Sequence, residues 1–368
     1  MSKMKVAIVG GGIVGATAAF YASQIFPKVD LYDDGVGQAT KASAGIICPW
    51  FSKRRNKAWY RLANLGAHFY PDLLQDLKAL GHATTAYEQR PTWLLKKRQH
   101  LLPELEALVE KRKAEAPLIK TVKRLGPEEQ KARLKAWTYE GDVLAIEKGA
   151  AILDGEAMVN DLLAAAQEAG LTYYQKKAQF EVASRSYRLN GTTYDAIIFA
   201  AGAWLAQCLA PLNITVDVRP QKGALAYYDI PVSTWPLIMP EGEADIIPHG
   251  ENRLYIGATH DDDKGFDLTA ALTELKPILS QVAKLLPELD LTQPKGLKVG
   301  TRAYTSDYAP FFGPVPGHPK LLVASGLGAS GLTTGPLIGR ELVRLLAQEE
   351  TQLALADYDP ARYIKAQA

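Results

Sequence analysis

Residues 6–15 read VAIVGGGIVG, and this segment limits the fold more than any other. Its apolar, β-branched start reads as a buried parallel strand, and Gly10, Gly12 and Gly15 then open a helix in G-x-G-x-x-G spacing. The first glycine permits a tight turn, the second lets the backbone approach a pyrophosphate, and the third lets helix and strand pack closely. Ile13 and Val14 stand in the first helical turn, where N–H groups lack intrahelical partners and the dipole is positive. In such a unit an acid about 20 positions further on holds a ribose hydroxyl. Residues 29–34, VDLYDD, supply it: Asp33 fits the spacing best, with Asp34 as the alternative. A carboxylate there repels a 2′-phosphate, which disfavours NADP and leaves NAD or FAD. The glycines alone do not separate those two.

At 368 residues the chain has room for two domains, given about 150 residues for each. A net charge of +2 gives no basic field for nucleic acid. Cys48 and Cys208 are the only cysteines, too few for a disulfide framework or thiolate metal site, which fits a reducing cytosol. The six histidines show no metal-ligand spacing, and there is no G-x-S-x-G elbow. Lys3 and Lys5 before an uncharged stretch imitate a signal peptide, but cleavage would destroy the glycine turn, so no targeting segment is expected. No apolar run reaches the roughly 18 residues of a membrane span. Nothing here fixes the oligomeric state.

Further along, helical spacing covers residues 58–80, 101–116, 158–169, 268–286 and 335–346. Residues 196–204 and 320–325 read as buried strands running into glycine turns, and residues 216–257 as short antiparallel strands. The expected architecture is α/β plus α+β: a Rossmann-type unit with an inserted substrate domain on a mixed, largely antiparallel sheet. The dinucleotide unit is assigned residues 1–85, 141–212 and 300–368, and the substrate domain 86–140 and 213–299.

Several side chains are candidates for chemistry. Gly326, Gly328, Gly331 and Gly335 fall between a strand and a helix, in a connection longer than the usual 2–6 residues or so. Such a turn aims backbone N–H groups at a second acceptor, in a flavoprotein the N1–C2=O edge of the ring. Arg302 stands among small and apolar residues, and if buried its planar fork suits a carboxylate. Asp245, His249, Tyr255 and His260 lie near the ends of the expected sheet strands, where each either faces a pocket or serves the sheet. Cys48 is a small core residue or a neighbour of the flavin. The basic run from Lys53 to Lys57 is a solvated loop, or a lid or acceptor-docking surface.

Taken together, these blocks resemble the D-amino-acid oxidase family of flavoproteins, which includes glycine oxidase, sarcosine oxidase and D-amino-acid dehydrogenase. The resemblance rests on residues 10–15 with Asp33, then 40–45 (TKASAG), 195–204 (DAIIFAAGAW), 254–259 (LYIGAT), 300–313 (GTRAYTSDYAPFFG) and 326–335. It implies FAD held without a covalent link. It places Thr40, Ser43, Ala44, Gly45 and Ile46 around the pyrophosphate and ring, and adds Ala201, Gly202 and Trp204 from the third block. Gly328, Ala329, Ser330, Gly331, Leu332 and Thr333 would stabilise the reduced ring, and Val182 would contact the adenine region. Arg302 matches the arginine that binds the substrate carboxylate. The implied reaction is oxidation of a small α-amino acid (a D-amino acid, glycine or an N-methyl amino acid) to the imino acid, by hydride transfer to flavin N5. The alternatives are an FAD-dependent 2-hydroxy-acid dehydrogenase, or an NAD-binding dehydrogenase or non-catalytic nucleotide-binding module. Two departures bear on the substrate. Asp245 precedes Ile246-Ile247-Pro248 where glycine-oxidase-like members often carry tyrosine, and Ala303 follows Arg302 where the family has proline.

Overall fold

The computed structural model describes residues 4–183 and 186–366. Two large sheets organise the chain. The first has six strands, in the order Phe311–Val315, His318–Ser325, Ala196–Phe199, Lys5–Val9, Lys28–Tyr32 and Thr172–Tyr174. Its pairs are parallel except for the hairpin of the two 300-series strands. Lys5–Val9 lies centrally, with Val6 opposite both Ala196 and Val29. That position explains its unbroken apolar run, since a central parallel strand is covered on both faces.

The helix Ile13–Ile25 packs against Gly155–Glu168 and Gly331–Ala347. Its composition of alanine and small residues suits that enclosed place. Close approach is built in by glycine: a Cβ at Gly339 would lie 2.5 Å from the Val14 carbonyl oxygen.

The second sheet has eight strands, in the order Gly296–Tyr304, Arg219–Asp229, Arg253–Gly257, Asp245–His249, Leu237–Met239, Thr92–Leu95, Val143–Lys148 and Thr121–Leu125. It is antiparallel apart from one parallel pair, Leu237–Met239 with Thr92–Leu95. One face carries Ile246, Ile256 and Ala226 into a core with Leu275, Ile278 and Val282 of the Leu272–Leu285 helix. The opposite face carries Leu225, Ile247 and Tyr255 toward Ala44 and Ile46 of the dinucleotide unit. Strand alternation therefore decides which side chains look into the space between the sheets.

Sheet membership corrects one boundary read from sequence. Val143–Lys148 pairs with Thr92–Leu95 and Thr121–Leu125 in the eight-stranded sheet, although residues 141–212 were assigned to the dinucleotide unit. A six-residue strand shows its own conformation locally but not which sheet will accept its edge.

Candidate active site

The glycine turn has the geometry its spacing predicts. Gly10 adopts φ +101°, and a Cβ there would lie 2.4 Å from the Ala200 carbonyl oxygen. At Gly15 a Cβ would fall 1.8 Å from the carbonyl oxygen of Gly10, so only glycine lets the helix start so close to the turn. At Gly12 it would meet only the Thr40 hydroxyl, at 3.2 Å, which leaves the approach to the helix N-terminus open. Among the described residues nothing accepts from the N–H of Gly12 or Val14, while that of Ile13 donates to Thr40 Oγ1 at 3.0 Å.

Asp33 closes the other side. Its carboxylate accepts from the Gly11 N–H, from Gly35 N–H at 2.5 Å and from the Gln38 amide at 2.7 Å. Asp34 accepts from Val36 N–H at 3.1 Å. Both aspartates line a cavity of about 390 Å³ that also touches Gly10, Gly12, Ile13, Val14, Thr40, Ala201, Gly202, Trp204, Gly328 and Gly331. Four segments far apart in sequence thus meet in one cleft beyond the carboxyl ends of the parallel strands, where this architecture binds nucleotides. A long polar ligand fits the unsatisfied groups there. Thr301 Oγ1 and Gln38 Oε1 are buried without a hydrogen-bond partner, and both residues line the cavity.

The remaining expected contacts divide. Gly15 lies behind the turn, as described. Gly45, at φ +84°, sits against the Leu153 carbonyl oxygen, Ser43 bonds Thr40 O at 2.7 Å, and Ala44 O accepts from His249 at 3.1 Å. Ile46 pairs with Ile152, and Thr333 Oγ1 reaches Ile46 O at 3.4 Å. Ala329 N–H donates to Tyr304 Oη at 3.0 Å, Trp59 Nε1 donates to Ser330 Oγ at 3.2 Å, and Leu332 O accepts from Tyr70. These residues shape the walls without lining the cavity. Val182 is displaced altogether: it is 45% exposed on an edge hairpin, and Lys177 and Ala178 line the cavity in its stead. Of the cysteines, Cys208 lines the cavity and Cys48 is buried in the core, its thiol pushed up to about 12 by burial.

Spacing arguments also passed over Tyr32, Gln38, Gln207, Thr301, Ser325 and Leu327, which line the cavity. Thr301, Tyr32, Ser325 and Leu327 carried a usable signal, since they adjoin Arg302, Asp33 and the glycines at 326 and 328; Gln38 and Gln207 carried none.

Arg302 does not line this cavity. Thr301 and Ala303 do, so alternation turns Arg302 to the other side of its strand. Opposite it in register is Gln221, and its guanidinium lies over Gly223, where a Cβ would come within 2.6 Å of Cζ. Nη1 donates to Gln221 Oε1 at 3.1 Å and to Thr259 O at 2.8 Å. Among the described residues nothing accepts from Nη2 or Nε. Burial lowers its pKa, against the charges of Tyr304, Glu243 and Asp261, yet a guanidinium stays cationic. One edge of the fork is thus held and the other is free.

The same sheet face carries Gly300, where a Cβ would lie 3.0 Å from Ala39 Cα and 2.9 Å from Ala42 Cβ, and Lys298, which donates to Lys41 O at 3.0 Å. It also carries Tyr304, which packs on the Gly328 turn. Arg302 therefore looks toward the place where residues 38–46 and 328–333 converge. Asp245 shares this face through Ile247 and His249 of its own strand. Tyr255 is buried between Tyr227 and His249 and lines a separate cavity of about 510 Å³ with Asp154 and Arg253. Burial pushes the His249 imidazole down to about 4. His260 pairs with Glu243 at 2.8 Å on the surface. In the basic run, Lys53 pairs with Glu104 at 3.0 Å and Arg54 stacks on Trp59. Among the described residues no cluster of histidine, cysteine or carboxylate could hold a metal, and no helix is long and apolar enough to cross a membrane.

Comparison with known proteins agrees with this geometry. The family profile DAO, FAD dependent oxidoreductase, matches residues 5–345. The uncharacterised oxidoreductase YurR of Bacillus subtilis is 36% identical over 96% of this chain and 98% of its own. Glycine oxidase of Pseudomonas aeruginosa is 27% identical over 97% and 98%. Among solved structures, iminodiacetate oxidase from Chelativorans sp. BNC1 superimposes with a TM-score of 0.91 at 30% identity, covering 97% of this chain and 99% of that one. With the nucleotide cleft, the free arginine edge and these matches in agreement, the chain belongs to the DAO family of FAD-dependent oxidoreductases.

Proposed function

We propose that this enzyme oxidises a small α-amino acid (glycine, a D-amino acid or an N-methyl amino acid) to the corresponding imino acid. The observation that carries the reading is the free edge of the half-buried Arg302 guanidinium. It supports bidentate capture of a carboxylate, with Gln221 and Thr259 holding the opposite edge so that the fork is set before substrate arrives. Two of the similar proteins, iminodiacetate oxidase and glycine oxidase, are named for compounds in which a carboxylate and an amine nitrogen share one carbon.

Bound FAD supplies the acceptor for a hydride from the α-carbon. Gly10–Gly15, Thr40 and Asp33 would hold its pyrophosphate and ribose, and the N-terminus of the Gly331–Ala347 helix favours negative charge at the cavity wall. Arg302 acts by positioning, since a guanidinium does not take a proton at working pH. Cys208 is unsuited to a covalent cofactor link, because burial pushes its thiol up to about 11. Two free cysteines fit a cytosolic enzyme.

The test is anaerobic. Purified holoenzyme is mixed with glycine, D-amino acids, N-methyl amino acids and 2-hydroxy acids, and flavin absorbance is followed. Bleaching by amino compounds is expected; bleaching by 2-hydroxy acids alone would replace this reading with a hydroxy-acid dehydrogenase.

A further inference from the structure

Asp245 is a carboxyl group without a partner on the face that carries Arg302. On its own strand Ile246 points into the core under the Leu272–Leu285 helix, and Ile247 into the cluster with Ala44 and Ile46. Alternation sets Asp245 with Ile247 and His249, toward the dinucleotide unit. Its register partner is Gly257, which offers no side chain. Two residues beyond Gly257 stands Thr259, whose carbonyl oxygen holds Arg302. The acid and the guanidinium therefore share one face of the sheet and are linked through residues 257–259.

Asp245 keeps some accessible surface although it is deeply enclosed, as expected of a side chain facing an internal space. Among the described residues it makes no hydrogen bond or ion pair, so it does not hold the sheet together. Buried carboxyls without partners are costly, and their survival points to a group supplied from outside.

We propose, building on the reading of Arg302 as the carboxylate anchor, that Asp245 pairs with the substrate ammonium and accepts its proton. The step moves one proton and no electrons: the ammonium N–H bond breaks, an O–H bond forms on Asp245, and a neutral amine and a neutral carboxylic acid remain. The amine nitrogen is then free to donate its lone pair as the α-carbon loses hydride. An ordinary carboxyl is too weak a base for this, but burial raises that of Asp245 to about 8, much closer to an ammonium. Charged and titratable neighbours come from several elements: His249 on its own strand, Glu243 in the turn before it, Tyr255 on the adjacent strand, and His260 and Asp261 beyond Gly257. Tyr227, Lys298 and Arg302 lie across the sheet, and residues 44–48 bring only Cys48. None of them displaces its ionisation, which burial alone shifts. The site would thus select zwitterions, with Arg302 for the carboxylate and Asp245 for the cationic nitrogen.

Two isosteric probes test this in the holoenzyme. Trimethylglycine carries a fixed cation and no N–H, and 3,3-dimethylbutanoate has the same shape without the charge. Binding is read by calorimetry and by perturbation of flavin absorbance. The wild type is expected to prefer the cation by at least about tenfold at pH 9, with the preference falling as pH drops through about 8 and Asp245 becomes neutral. Asp245→Asn should keep its flavin and bind both probes equally at every pH. A purely structural role would not move this ratio. Equal or absent affinity of the wild type for the two probes, or a preference retained in Asp245→Asn, overturns the proposal. Arg302→Leu should lose both probes. If it keeps them, the carboxylate-anchor reading fails, whereas failure of Asp245→Asn alone leaves that reading standing.

Discussion

The glycine turn and the Arg302 face of the eight-stranded sheet are built by opposite means. At the turn, selection comes from absent side chains and fixed backbone. Gly10 and Gly15 leave no room for a Cβ, and the Asp33 carboxylate is already satisfied by two backbone N–H groups and Gln38. Across the cleft, selection comes from charged side chains that the protein leaves incomplete. Among the described residues Arg302 has one free edge and Asp245 has no partner. The first arrangement is cheap to fold and binds a cofactor common to many relatives. The second carries a standing desolvation cost, which under the proposed function the right substrate would relieve.

The largest effect should come from breaking the first region. Gly15→Val places atoms inside the Gly10 carbonyl and should cost about 4 kcal/mol or more. The protein should melt much earlier and purify without flavin absorbance; a yellow, normally stable variant would contradict the close-packing account. Next comes the second region. Arg302→Leu should lower kcat/KM for an amino acid by about a hundredfold or more, an effect of roughly 3 kcal/mol, with flavin content unchanged. Wild-type efficiency in that variant would remove Arg302 from the substrate site.

Asp245→Asn sharpens the contrast, because it should stabilise the protein. The folded-state pKa of Asp245 is raised, so its contribution to stability is complete below the unfolded carboxyl pKa and is lost as pH rises through about 8. At pH 7 the wild type is therefore penalised, and the substitution should recover on the order of 2 kcal/mol after allowance for partial solvent contact. The gain should vanish near pH 4. Denaturant unfolding at the two pH values decides it, and a variant less stable at pH 7 would show that Asp245 has a hidden structural partner. The smallest effect is expected for Asp33→Asn. It retains shape but weakens the bonds accepted from Gly11, Gly35 and Gln38, so flavin affinity should fall by about tenfold, roughly 1.4 kcal/mol. Titration of the apoprotein with FAD measures it.

How much of this was legible beforehand follows from the range of the interactions. The strand at Lys5–Val9, the turn and the Ile13–Ile25 helix are encoded in consecutive residues, and strand, glycine spacing and helix together mark the unit. Asp33 is legible because one helix and one strand set its distance from the glycines. Val182 was misplaced for the converse reason. The chain leaves the six-stranded sheet after Tyr174, so Lys177 and Ala178 pass the cleft, and residues 180–183 already belong to a separate hairpin sheet. Gly223, Gln221 and Thr259, which seat and hold Arg302, come from strands and turns paired through the sheet over tens of residues.

The sequence by itself determined the strand, glycine turn and helix of a dinucleotide-type unit and the resemblance to amino-acid-oxidising flavoproteins, because glycine geometry and short-range spacing are local properties. Only the tertiary structure decided which strands face the cleft, which edge of Arg302 is free and that Asp245, on the same sheet face, lacks a partner among the described residues. Those depend on register and burial, which arise when distant segments pair and exclude water.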